Sequence, residues 1–138
     1  MGSSQPGLRV VLIDDHELVR AALRAVLEDA GIEVTAEAGN GEEGIRLSSD
    51  SRPDVVLLDL SMPDLSGIEV TRRLMKAAPT SRVLVFTGSA EEHDVRDAID
   101  AGASGYLLKD ADPEEIVEAV RAAASGATKI SPKGVRPA

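Results

Sequence analysis

The amino-acid sequence predicts an α/β fold, a parallel sheet of five strands with helices on both faces. Three observations carry this expectation. Val55-Val56-Leu57-Leu58 is an unbroken run of large aliphatics, the pattern of a strand buried on both faces. Five strand-like runs alternate with five stretches of helical character, and connections of that kind produce parallel sheets covered on both sides. Four of the helices also open with a short polar residue three positions before a glutamate: Asn40/Glu43, Ser66/Glu69, Ser89/Glu92 and Asp112/Glu115. The two serine pairs fit the reciprocal capping box, and the other two resemble it.

Taken in order, residues 1–7 (MGSSQPG) are polar and rich in Gly, Ser and Pro, and are expected to form a flexible lead-in. Leu8 to Ile13 is the first strand, ending at Asp14-Asp15. A helix follows from about His16 to Ala30, with Val19, Ala22, Leu23, Val26 and Leu27 at helical spacing, and Gly31 stops it. Ile32 to Ala38 alternates as a half-buried, edge-like strand would. The second helix spans about Asn40 to Asp50. The central strand follows Pro53, and a third helix covers roughly Gly67 to Ala78. Arg82 to Thr87 is the fourth strand, about Ala90 to Ala101 the fourth helix, and Ser104 to Leu108 the fifth strand, leading into Lys109. The fifth helix runs from about Pro113 to Ala124, with Ile116, Ala119, Val120 and Ala123 on one face. One domain is expected over 8–126. The basic, proline-containing stretch 127–138 reads as the start of a linker rather than a sixth element.

Composition narrows the chemistry. With no cysteine, disulfides, zinc–thiolate sites and thiol catalysis are excluded. No apolar run approaches the ~18 residues of a membrane span, so no membrane partner is expected and the cytoplasm is the default location. A net charge of −9 repels phosphate backbones, so this chain alone is a poor ligand for nucleic acid. One Phe and one Tyr offer no platform for stacking bases or flavins.

The strand ends are where chemistry collects. Ligands of open α/β sheets sit beyond the carboxyl ends of the strands. Here those ends supply Asp14 and Asp15, Asp59, Thr87 and Lys109. Singly, each has an ordinary structural explanation; jointly, they fall on one edge of a parallel sheet. Three converging carboxylates need a counter-charge. The Lys109 ammonium is one, and a divalent cation is another. Mg²⁺ suits oxygen ligands and commonly shares its shell with carboxylates and phosphate oxygens. That arrangement serves phosphoryl transfer to a carboxylate, with the Thr87 hydroxyl available to a phosphoryl oxygen. His16 and His93 fall at separate helix starts without another soft ligand, so neither is expected to bind metal. His16 lies near enough to modulate the acidic site.

The chain resembles the receiver domain of bacterial two-component response regulators. The resemblance rests on Asp14-Asp15, Asp59 with Met62-Pro63-Asp64 and Gly67, Thr87-Gly88, and Gly105-Tyr106-Leu107-Leu108-Lys109, and it covers about residues 8–125. It implies a flavodoxin-like (βα)5 fold with strand order 2-1-3-4-5. Asp59 would accept a phosphoryl group from a sensor histidine kinase. Asp15, Asp59 and the Ser61 backbone carbonyl would bind Mg²⁺ directly, and Asp14 would act through water. Lys109 would pair with the phosphoryl group and Thr87 would hydrogen-bond to it. Such a domain is a switch rather than an enzyme, catalysing only its own phosphorylation and dephosphorylation.

Asp14 to Arg20 and Ala101 to Asp110 are similar to the NarL/FixJ subfamily, whose members carry a C-terminal LuxR-type helix-turn-helix. The resemblance thus implies transcription regulation, with DNA bound only by an output domain absent from this chain. A homodimer is possible through the fourth helix–fifth strand–fifth helix or through the first and fifth helices. Two positions that tune phosphoryl lifetime in the family are both serine here, Ser61 and Ser89. On activation, Thr87 is expected to move toward the phosphoryl group and Tyr106 to turn inward behind it. This would remodel the fourth helix–fifth strand–fifth helix surface.

Rival readings fit less well. A haloacid-dehalogenase-like phosphatase needs a second aspartate two positions after the nucleophile, where Ser61 stands. A flavin module would set its phosphate against Asp14-Asp15. A receiver-like interaction module regulated without phosphorylation typically lacks an acidic or lysine position that this chain keeps.

Overall fold

The structure is a computed structural model that describes residues 7–88, 92–126 and 129–130. Residues 1–6 of the lead-in, Ser89 with its cap on the fourth helix, that helix's expected start at Ala90, and 131–138 of the tail lie outside the described residues. The elements are β1 (Arg9–Ile13), α1 (Glu17–Asp29), β2 (Glu33–Ala38), α2 (Gly41–Ser51), β3 (Val55–Leu58), α3 (Gly67–Ala77), β4 (Arg82–Thr87), α4 (Glu92–Ala101), β5 (Gly105–Leu108), α5 (Pro113–Ala124) and β6 (Lys129–Ile130). All strand pairs are parallel, in the order β2-β1-β3-β4-β5-β6. The five-stranded order 2-1-3-4-5 is therefore as expected. The sixth strand is not: Lys129 pairs with Gly105 and Ile130 with Tyr106, inside the stretch read as linker. Two residues are too few to show strand periodicity, and an open edge of β5 decides their pairing.

Strand alternation divides the core in two. Val10 and Leu12 of β1, Val55 and Leu57 of β3, and Leu84 and Phe86 of β4 face one way, onto Leu23 and Leu27 of α1 and Ile116, Val120 and Ala123 of α5. Val11, Ile13, Val56, Leu58, Val83 and Val85 face the other way, onto Val70 and Leu74 of α3 and Ala98 of α4. No residue of β3 is more than 2% exposed, which is why its sequence cannot alternate. β2 is an edge strand, at the opposite side of the sheet from β6. Its alternation breaks where Val10 pairs with Val34 but Val11 with Ala36, and Thr35 Oγ1 donates to the Val10 carbonyl at 3.3 Å.

The caps refine the expectation. Asp112 and Glu115 form the full reciprocal box. Ser66 accepts from the Glu69 amide, but the Glu69 carboxylate pairs with Arg73 one turn on. A nearby guanidinium outcompetes the backbone amide for that carboxylate. α1 ends into Gly31 at φ +82°, a conformation glycine adopts without strain.

Candidate phosphoacceptor site

The ladder itself assembles the site. Ile13 lies opposite Leu58, and the pairing continues one residue further, with the Asp59 amide donating to the Ile13 carbonyl at 2.9 Å. Thr87 lies opposite Leu108, and the Lys109 amide donates to the Thr87 carbonyl at 2.8 Å. In-register parallel strands thus end at one level, bringing Asp14, Asp59, Thr87 and Lys109 to one edge.

There the Lys109 Nζ stands 3.0 Å from Asp59 Oδ2 and 3.2 Å from Asp14 Oδ2. Asp14 and Asp59 are buried, while Asp15 is more open. Burial pulls the Lys109 pKa down, but its hydrogen bonds and charge interactions with Asp59 and Asp14 outweigh this and hold it above the ordinary lysine value. The ammonium is therefore charged at neutral pH. Asp59 Oδ1 accepts from the Ser61 amide at 3.1 Å, which ties the β3–α3 loop to the acid. Thr87 is buried at the end of β4.

The donor set fits a divalent ion. Side-chain ligand atoms of Asp14, Asp15, His16 and Asp59 all lie within 4.8 Å of one another. Among the described residues, the buried Asp14 Oδ2 has the Lys109 ammonium, 3.2 Å away, as its ion-pair partner. A buried carboxylate oxygen in that condition is suited to a cation.

The sequence assigns no role to Arg20 or to the Asp64 side chain, and of His16 it leads only to the expectation that it modulates the acids. The Arg20 guanidinium donates to the Asp14 backbone carbonyl and to Glu37, bracing α1 and β2 around the site. His16, set aside as a ligand, points its Nδ1 at Asp14 Oδ1 (2.8 Å), Asp15 Oδ1 (3.1 Å) and Asp59 Oδ2 (3.7 Å). Asp64 accepts from the Gly41 and Glu42 amides at 2.8 and 3.0 Å, while Asn40 accepts from the Glu43 amide. The first three amides of α2 are thereby satisfied, two of them from a different loop.

The Gly41 and Glu42 amides hold the Asp64 carboxyl below the usual carboxylate range. A lowered pKa means this cap stabilises the fold above the ordinary carboxylate pKa and is lost as pH falls through the lowered one. Asp64→Ala is therefore expected to lower the urea midpoint at pH 7, with the gap to the wild type closing well below about pH 4. A gap unchanged by acid would mean the charge contributes nothing.

Tyr106, expected to turn inward on activation, is here 1% exposed and packed within the second core. Val85 lies directly opposite it, and Thr87 is two residues further along the same face of β4. The aliphatic surface around β4 and β5 already accommodates the ring.

With this geometry in view, comparison with known proteins decides the family. A family model described as the response regulator receiver domain matches residues 10–121.

The chain belongs to the response regulator receiver domain family.

This receiver domain is 45% identical over 124 residues to the nitrate/nitrite response regulator protein NarP of Escherichia coli (strain K12), covering 89% of this chain. It spans 58% of the length of NarP. Among solved structures, a LuxR-family two-component response regulator from Aurantimonas sp. SI85-9A1 superposes with a TM-score of 0.87 at 38% identity, covering 92% of this chain and 91% of that one. A CheY-like receiver domain protein from Methanospirillum hungatei JF-1 gives 0.81 at 23% identity, covering 88% and 96%, and supports the flavodoxin-like fold. Among the described residues, no helix of the receiver domain is long and apolar enough to cross a membrane.

Proposed function

We propose that this chain is a phosphorylation-activated switch in which Asp59 accepts a phosphoryl group from the phosphohistidine of a sensor histidine kinase. The observation that carries the proposal is the Asp59 carboxylate at a strand end, 3.0 Å from a charged ammonium and within reach of two more acids. One Asp59 oxygen attacks phosphorus in line. The new O–P bond forms as the P–N bond to the kinase imidazole breaks, and that electron pair stays on the imidazole nitrogen. Asp15, Asp59 and the Ser61 carbonyl would hold Mg²⁺, with Asp14 acting through water. When bound, the ion supplies positive charge that offsets the phosphoryl oxygens. Lys109 exchanges part of its contact with Asp59 for a phosphoryl oxygen, and Thr87 donates its hydroxyl to another.

The added charge of about −1.5 to −2 biases a pre-existing equilibrium of the α4–β5–α5 surface. Residues 8–126 act as the switch, and the segment after them leads to a LuxR-type helix-turn-helix that binds DNA. A homodimer and a cytoplasmic location accompany this reading. Because Tyr106 is already inside, any signal through Thr87 adjusts its packing rather than drawing it in from solvent.

Intact mass after incubation with acetyl phosphate and Mg²⁺ tests the proposal. The expected result is a gain of one phosphoryl group that disappears in Asp59→Ala and in chelator. No gain from acetyl phosphate or from a phosphorylated kinase would favour the alternative, an interaction module regulated without phosphorylation. A gain that survives Asp59→Ala would mean another nucleophile.

A further inference from the structure

We propose that β6 belongs to the switch: by pairing with the glycine-led start of β5 it holds the Tyr106 ring inside, and it is thereby coupled to phosphorylation at Asp59. The coupling rests on the reading of Asp59 as phosphoacceptor; the hold on the ring does not.

The start of β5 is where the sheet needs support. The strand has four residues, Gly105–Leu108, and it opens on a glycine. A glycine in a strand has no side chain to pack and the most backbone freedom to lose. Left at the sheet edge, such a strand presents an unpaired row of amides and carbonyls and opens easily. β6 meets it at this end. Lys129 pairs with Gly105 and Ile130 with Tyr106, in parallel register. On their other side the same two residues of β5 pair with Leu84 and Val85 of β4. Gly105 and Tyr106 therefore have a strand on each side. Gly126 prepares the return after α5, at φ +90°, in the left-handed region that glycine adopts without strain.

The pairing bears on the ring through the backbone. Side chains stand roughly perpendicular to a sheet, so the orientation of the strand at Tyr106 sets where the ring enters the core. Neighbours on both edges fix that orientation, and the ring is 1% exposed. Thr87 lies two residues beyond Val85 on the same face of β4. A shift of Thr87 toward a phosphoryl group opens space on the ring's side of the sheet, and a ring held inward fills it. What holds the ring inward then favours the phosphorylated form, and by reciprocity phosphorylation tightens β6.

The chain has one tyrosine and no tryptophan, so its intrinsic fluorescence reports on Tyr106 alone. Lys129→Pro/Ile130→Pro, made in the 138-residue chain, removes both backbone donors of β6. Acrylamide is expected to quench the tyrosine of this variant more efficiently than that of the wild type. Its affinity for beryllofluoride with Mg²⁺, a stand-in for the phosphoryl group, should fall about fivefold or more. Lys133→Pro, outside the paired residues, should match the wild type in both. Equal quenching in the double variant would overturn the hold on the ring, and unchanged beryllofluoride affinity would overturn the coupling. Hydrogen exchange on the wild type needs no substitution: beryllofluoride should slow exchange in a peptide containing β6, and unaltered exchange would also overturn the coupling. If the wild type binds no beryllofluoride, the phosphoacceptor reading fails and takes the coupling with it, while quenching still decides the hold of β6 on the ring.

Discussion

Lys109→Met destabilises the domain by about 3 kcal/mol in Mg²⁺-free buffer at neutral pH, the lower end of what breaking a buried ion pair costs. The lower end applies because Lys109 keeps 22% of its side-chain surface exposed, whereas Asp14 and Asp59 keep 3%. Methionine preserves the aliphatic stem of the side chain, and Lys109 lines one cavity with Val19, Leu23 and Phe86, so the loss isolates the charge. Two buried carboxylates are left facing each other without an ammonium. Asp59→Asn removes one of those charges, so the Lys109→Met/Asp59→Asn pair recovers most of the loss in a double-mutant cycle. The lysine's raised pKa adds a pH signature. A raised value means its contribution is complete below the ordinary lysine pKa of about 10.4 and is lost as pH climbs through the folded value. Wild type and variant should therefore converge only at strongly alkaline pH. Urea midpoints from pH 7 upward measure this, and coincident midpoints at pH 7 would show that the pair does not stabilise the fold.

Gly67→Ala costs about 2 kcal/mol, although alanine is the better helix former. The reason is contact rather than backbone conformation. A methyl group at Gly67 would lie 2.5 Å from the Leu60 Cα and 3.1 Å from the Leu60 carbonyl oxygen. That same carbonyl accepts from the Gly67 amide at 3.0 Å, so the start of α3 and the loop after Asp59 touch backbone to backbone. Making room moves Leu60, and with it the Ser61 amide that holds Asp59. The variant should lose phosphorylation rate as well as thermal stability. Gly88→Ala is the control, since among the described residues nothing lies within 4 Å of a methyl group there. Equal behaviour of the two variants would show that close approach at Gly67 does not position the acid.

The strand-end residues were legible because their placement follows from two local patterns. Aliphatic runs mark the strands, and polar residues follow them at once. Parallel strands in register then bring Asp14, Asp59, Thr87 and Lys109 together without further information. Arg20, Asp64 and His16 were not legible in this way. Each acts through a contact set by where a loop or helix start lies in space, and none has a neighbouring residue that signals it. Asp64 caps a helix 22 residues earlier in the chain, and no pattern around Asp64 marks that target. Arg20 and His16 sit on or beside an amphipathic helix where a polar residue is expected in any case.

What the sequence by itself determined is the order and type of the elements, the two-sided burial of β3 and the level at which chemistry gathers. These depend on hydrophobic period, caps and strand ends, all set by near neighbours in the chain. The tertiary structure alone decided the extra pairing of β6, the inward Tyr106, the α2 cap from Asp64 and the imidazole among the carboxylates. Those depend on which surfaces are left to meet once helices and sheet have packed. Such distances arise from register and close packing rather than from any short stretch of residues.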